Sequence, residues 1–187
     1  EPNYRVSADL TPTDPSYGQQ WSLPKIGMPT AWDTATGSGV VVAVIDSGVD
    51  YRHSELAENM WVNPGEIAGN GRDDDENGYV DDYRGWDFAY NDNNPLDVFG
   101  HGTHVAGTIA AARNAVGTTG VAYGARIMPV QVLDEHGRGH HDISLAAAIC
   151  YAVNNGAHII NLSVAWNYSP VVVNAMNYSG RMGVLVI

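Results

Sequence analysis

Val40-Val41-Val42-Ala43-Val44-Ile45 is an unbroken apolar run, closed by Asp46-Ser47-Gly48. A strand with one wet face alternates apolar and polar residues, and this one does not. The run therefore predicts a strand buried on both faces, at the centre of a parallel sheet. Reading outward, residues 29–36 predict a short helix opened by Pro29, and 101–113 a helix of small residues. Arg126 to Leu133 reads as a strand, Ile143 to Val153 as a helix and Ala157 to Val164 as a strand. Residues 171–180 read as a helix, and Gly183 to Ile187 begins a further apolar strand. Strand and helix alternate, which predicts an α/β domain around a mostly parallel central sheet. In such sheets, binding and catalytic groups gather at the carboxyl ends of the strands.

The 187 residues suit one domain, and 44% belong to the hydrophobic set, enough to build a core. Twenty-one acids against nine bases leave a net charge of −12. Nucleic acid is excluded as a partner, because affinity for phosphate backbones comes from Lys and Arg. No apolar run is long enough for a membrane span. Nor is there a basic, apolar leader at the N-terminus. Residues 1–20, rich in Pro, Ser, Thr and Asp, read as an extended arm. The single cysteine, Cys150, excludes an intrachain disulfide and reads as a small buried hydrophobe.

Residues 66–97 hold ten of the acids and two of the bases, so they carry −8 of the −12. A cation is the first explanation for so local a cluster. Within it, Asp73-x-Asp75-x-Asn77-Gly78 has the alternating oxygen spacing of a calcium loop, with glycine at the sharp turn. Tyr79 would give its carbonyl, and Asp81 or Asp82 could close the shell. Position 12 is Arg84, so this is not a full EF-hand.

Two motifs suggest catalysis. Asp46-Ser47-Gly48 ends the Val/Ile strand, and Gly100-His101-Gly102-Thr103-His104-Val105-Ala106-Gly107-Thr108 opens a helix of small residues. A carboxylate at a strand end and a histidine at a helix start can meet as orienting group and base.

In this order, the two motifs resemble those of the subtilisin-like serine proteases. His101 to Gly107 matches the family's His motif, and Val44-Ile45-Asp46-Ser47-Gly48-Val49-Asp50 resembles its Asp motif. His53-Ser54-Glu55-Leu56 resembles the H-P-x-L stretch, with Ser54 in place of proline. Gln20-Trp21 to Trp32-Asp33 resembles the start of the mature catalytic domain, and Ile160-Asn161-Leu162-Ser163 a substrate-binding strand.

The resemblance implies a three-layer subtilisin-like fold, incomplete at its C-terminal end, with residues 21–187 forming a partial catalytic domain. An acidic calcium-binding insertion would occupy about 63–97. Asp46 would orient the imidazole and His101 would act as base and then acid, while His104 would be structural. Gly137, Arg138 and Gly139 would form one edge strand for a bound peptide, and Ser163, Val164 and Ala165 the other. Ala165 and Trp166 stand where the family has glycines. Asn114 to Ala122 resembles the family's calcium loop, one residue short, which makes Asn114 a ligand candidate for a second site. Glu1 to Val6 looks like the end of an inhibitory propeptide.

The family's G-T-S-M-A motif does not occur, and the strand preceding the oxyanion Asn is only begun. The chain is thus expected to supply the Asp and His of the triad and to be inactive alone. Its expected partners are a peptide or protein substrate, and a propeptide or a complementing C-terminal chain. The expected location is outside the cell. The alternatives left open are a non-catalytic pseudoprotease, a calcium-binding scaffold and one half of a split protease. His136, His140 and His141 read as a solvated turn rather than a metal site. Asn161, Asn167 and Asn177 each begin an N-glycosylation pattern.

Overall fold

Val41–Asp46 forms β1, with every residue after Val41 buried. The computed structural model describes residues 11–139 and 141–187, so Glu1 to Val6 and His140 lie outside the described residues. The other strands are β2 (Trp86–Asp87), β3 (Arg126–Gln131), β4 (Ile159–Asn161) and β5 (Leu185–Val186). They make one parallel sheet in the order β2-β3-β1-β4-β5. β1 pairs with β3 from Val41–Arg126 to Asp46–Gln131, which brings both carboxyl ends to one rim.

Two short helices, α1 (Ser22–Lys25) and α2 (Met28–Ala31), precede the sheet. The longer ones are α3 (His101–Ala110), α4 (Asp142–Asn154) and α5 (Pro170–Arg181). Alternate residues of β1 serve opposite layers. Val42 and Val44 pack with Ala106 and Ala110 of α3, while Ala43 and Ile45 share a core with Leu145, Ile149 and Val172 of α4 and α5. This two-sided burial explains why the run is apolar without a break. The fold is therefore α/β around a parallel sheet, as the alternation of elements predicts, in the three layers that the family resemblance implies.

The acidic segment contains one strand that its polar sequence conceals. Trp86 and Asp87 add β2 to the sheet edge beside Val130 and Gln131. Tyr79, Trp86, Phe88 and Tyr151 form a cluster of edge-to-face rings with centroids 5.0–5.8 Å apart. That cluster docks the segment on α4. The described part of the N-terminal arm is also fixed: Asp14 is buried, and Ser16 donates to the Gly117 carbonyl at 2.8 Å.

Candidate active site

Asp46 is the last residue of β1 and His101 the first of α3. The imidazole Nδ1 lies 2.7 Å from Asp46 Oδ1 and 2.9 Å from Oδ2. The Asp46 side chain is fully buried, whereas that of His101 is 45% exposed. A carboxylate cannot donate, so Nδ1 carries the proton and donates it. Nε2 is then the free acceptor, on a ring open to solvent. The Ser47 N–H holds Asp46 Oδ1 from the other side at 2.7 Å. This approach needs Gly102, since a Cβ there would collide with the Gly48 carbonyl oxygen. Gly48, at φ +92°, lets the 95–97 segment close in, since a Cβ would come within 2.6 Å of the Pro95 oxygen. His104 lies one helical turn beyond His101, in the same helix.

A cavity of about 310 Å³ opens at the same rim, past the ends of β3 and β4. Gly139, Val164, Ala165 and Trp166 line it, over a floor of Val132 and Leu145. Gly137 and Arg138 belong to a turn built on Asp134. The Arg138 N–H donates to Asp134 Oδ1 at 2.9 Å, and its carbonyl accepts from the Asp134 N–H at 3.0 Å. Ser163 lies beyond β4 and is hydrogen-bonded to the Asn161 amide at 2.7 Å. Of the six residues expected to hold a peptide, Gly139, Val164 and Ala165 line this cavity, while Gly137, Arg138 and Ser163 are not among its lining residues.

In the acidic loop, Asp73, Asp75 and Glu66 each present a carboxylate oxygen within 4.8 Å of the others. Glu66 Oε1 accepts from the Asp74 N–H at 2.8 Å, while its buried Oε2 has no partner among the described residues. A buried carboxylate oxygen left in this state costs free energy unless a cation or proton meets it. Burial, more than the nearby carboxylates, pushes the Glu66 carboxyl above its ordinary range. Asn77 stands beside the group, its N–H donating to Asp73 at 3.0 Å and its side-chain oxygen accepting from the Tyr79 N–H. Asp82 is fully buried and spent on other partners: Asn63, Asn77 and, at 2.5 Å, the Tyr151 hydroxyl. Asp81 turns away and accepts from the N–H groups of Asn70 and Gly71.

These motifs and this geometry have known counterparts. The subtilase family profile matches residues 37–187. The chain belongs to the subtilase family. It is 38% identical to a thermophilic serine proteinase of Bacillus sp. strain AK1, over all of this chain and 42% of that protein. It is 37% identical to thermitase of Thermoactinomyces vulgaris, over 91% of this chain and 59% of thermitase. Among solved structures, fervidolysin of Fervidobacterium pennivorans superposes with a TM-score of 0.74 at 30% identity, covering 97% of this chain and 26% of fervidolysin. The chain spans only part of the length of each protein it matches.

Within this subtilase chain, Asn114 lies on a loop far from the acidic segment in sequence. Its N–H donates to Asp14 Oδ1 at 3.2 Å and its Oδ1 accepts from the Val116 N–H. Glu55 reaches the same loop, accepting from the Thr118 N–H at 3.0 Å, and its Oε1 is buried without a partner among the described residues. The places of Asp14, Glu55 and Glu66 are not legible in the sequence. Glu66 precedes the regular Asp-x-Asp-x-Asn spacing, and Asp14 and Glu55 join Asn114 only through the tertiary fold.

Proposed function

We propose that this chain supplies two of the three triad groups of a serine endopeptidase. The observation that carries the reading is the His101 imidazole held through Nδ1 by a buried carboxylate, with Nε2 left free. Asp46 sets the tautomer and stabilises the imidazolium. His101 Nε2 takes the proton of a serine hydroxyl as its oxygen bonds to the scissile carbonyl carbon. The same proton then passes to the leaving amine nitrogen. No G-T-S-M-A segment occurs in the 187 residues, so the chain by itself would form no acyl-enzyme. A complementing C-terminal sequence would provide the serine and the oxyanion Asn.

The substrate on this reading is an extended peptide lying between Gly137–Gly139 and Ser163–Ala165, with Trp166 narrowing the cavity beside it. Glu66, Asp73 and Asp75, with Asn77 and the Tyr79 carbonyl, would hold calcium, which neutralises their charge and ties down the loop. The orphaned Glu66 oxygen supports that fit, and the orphaned Glu55 oxygen supports a second site with Asp14 and Asn114. A calcium-stabilised protease suits a calcium-rich setting outside the cell. No helix among the described residues is long and apolar enough to cross a membrane.

A serine-directed fluorophosphonate probe and a denatured protein substrate test the proposal. The full-length gene product is expected to take the label and cleave the substrate, and the isolated 187 residues to do neither. A full-length product that does neither sinks the protease reading in favour of a pseudoprotease. Labelling of the isolated chain sinks the two-of-three assignment.

A further inference from the structure

We propose that Asp97 is a positioning residue for His101, locking the helix that carries the imidazole to the strand end that carries Asp46. The proposal rests on the triad reading above. Asp97 is half-buried in the loop that enters α3, and its carboxylate receives five donors. Oδ1 accepts from the N–H groups of Phe99 and Gly100 at 3.0 and 2.8 Å. Oδ2 accepts from Thr103 twice, at 2.9 Å from its N–H and 2.6 Å from its hydroxyl. The Thr103 N–H is one of the first N–H groups of α3, which have no partner within the helix, and the other three bonds fix the turn that enters it.

The fifth donor makes Asp97 more than a cap. Ser47 Oγ, fifty residues earlier in the chain, donates to Asp97 Oδ1 at 3.0 Å. Ser47 Oγ also accepts from the Gly102 N–H at 3.0 Å, and the Ser47 N–H holds Asp46. A second tie runs alongside, from the Asp50 N–H to Thr103 Oγ1 at 2.9 Å. The ring of bonds therefore passes from Asp97 through Ser47 and Asp46 to His101, and back through the first turn of α3. Core packing sets α3 against β1 further along both elements, and Asp97 with Ser47 ties the helix start to the strand end where the two side chains meet. Bonds to an ionised acceptor are about twice as strong as neutral ones, and Asp97 sits where the helix dipole favours a negative charge.

The test uses the full-length gene product. Asp97→Asn keeps the size but replaces one acceptor oxygen with an NH₂ group, which cannot accept, so either the Thr103 donors or the Ser47, Phe99 and Gly100 donors lose their acceptor. The expected result is a fall in kcat of about 10- to 100-fold with KM unchanged, the effect of a small misplacement of the base. The His101 Nδ1 proton, at low field in the ¹H NMR spectrum of the ¹⁵N-histidine-labelled wild type, is expected to broaden or move upfield. Thr103→Val is expected to give a weaker version of both changes, and Thr103→Ser, which restores the hydroxyl, to reverse them. If Asp97→Asn does not fold, Thr103→Val carries the test with the same readouts. A folded variant with an unmoved Nδ1 proton and wild-type kcat overturns the proposal, as does a loss that only follows a lowered Tm. The Nδ1 resonance needs no nucleophile, so it distinguishes failure of this proposal from failure of the protease reading.

Discussion

Asp46 is fully buried, and the donors on its two oxygens are the Ser47 N–H and the His101 ring. Asp46→Asn would present an NH₂ group to Nδ1 and favour the tautomer protonated on Nε2, which cannot act as base. In the full-length gene product kcat is expected to fall by about 10⁴-fold with little change in KM, measured on a chromogenic peptide. Asp87 gives a prediction for stability. It is buried at the end of β2, beside Asp92, and accepts from the N–H groups of Ala89 and Tyr90. Burial is the larger effect and raises its pKa from an ordinary 3.8 to about 7. The folded state thus holds the proton more tightly than the unfolded chain. The contribution is complete below about pH 4 and is lost as pH rises toward 7, by up to about 4 kcal/mol. Asp87→Asn is expected to flatten the pH dependence of Tm in this window. An unchanged slope would show that Asp87 does not titrate there.

Elements bring together what single residues cannot. The acidic loop is tied to α4 by the Tyr151 hydroxyl on Asp82 and by the aromatic cluster around Tyr79. Tyr151→Phe removes one donor and leaves a buried carboxylate oxygen short of a partner. The expected cost is about 1–3 kcal/mol, read by thermal or urea unfolding, with the rings still packed. If the loop takes calcium, Tm is expected to rise on going from chelator to excess calcium. The gain is about 2.7 kcal/mol at a concentration one hundred times Kd. Glu66→Gln is expected to remove most of that rise, because it neutralises one of the three convergent carboxylates. A calcium-independent Tm in the unaltered protein would refute both metal assignments. The spacing Asp73-x-Asp75-x-Asn77 is legible because it lies within five adjacent residues. The approach of Glu66 to Asp73 and Asp75 is not, since it arises where the chain folds back and the N–H groups of Asp74 and Asp75 reach Glu66.

Across the whole molecule, the sheet is covered on one face by α3 and on the other by α4 and α5. The β5 edge is different: Leu185 is 57% and Ile187 64% exposed. Unpaired strand edges with apolar side chains recruit further strands. The isolated 187-residue chain is therefore expected to run larger than a monomer in size-exclusion chromatography, and a sharp monomer peak would count against this. The sequence by itself determined the strand-helix order, the central place of Val41–Asp46, and the Asp46 and His101 motifs. Each is written in local periodicity or in a few adjacent residues. Only the tertiary structure decided that Asp46 and His101, 55 residues apart, meet at 2.7 Å. It also decided that Asp14 is buried against Thr119, 105 residues away, and that Asp97 joins the two halves of the site. Such pairings depend on how layers pack across the sheet, and contacts between distant segments leave no periodic trace in a single chain.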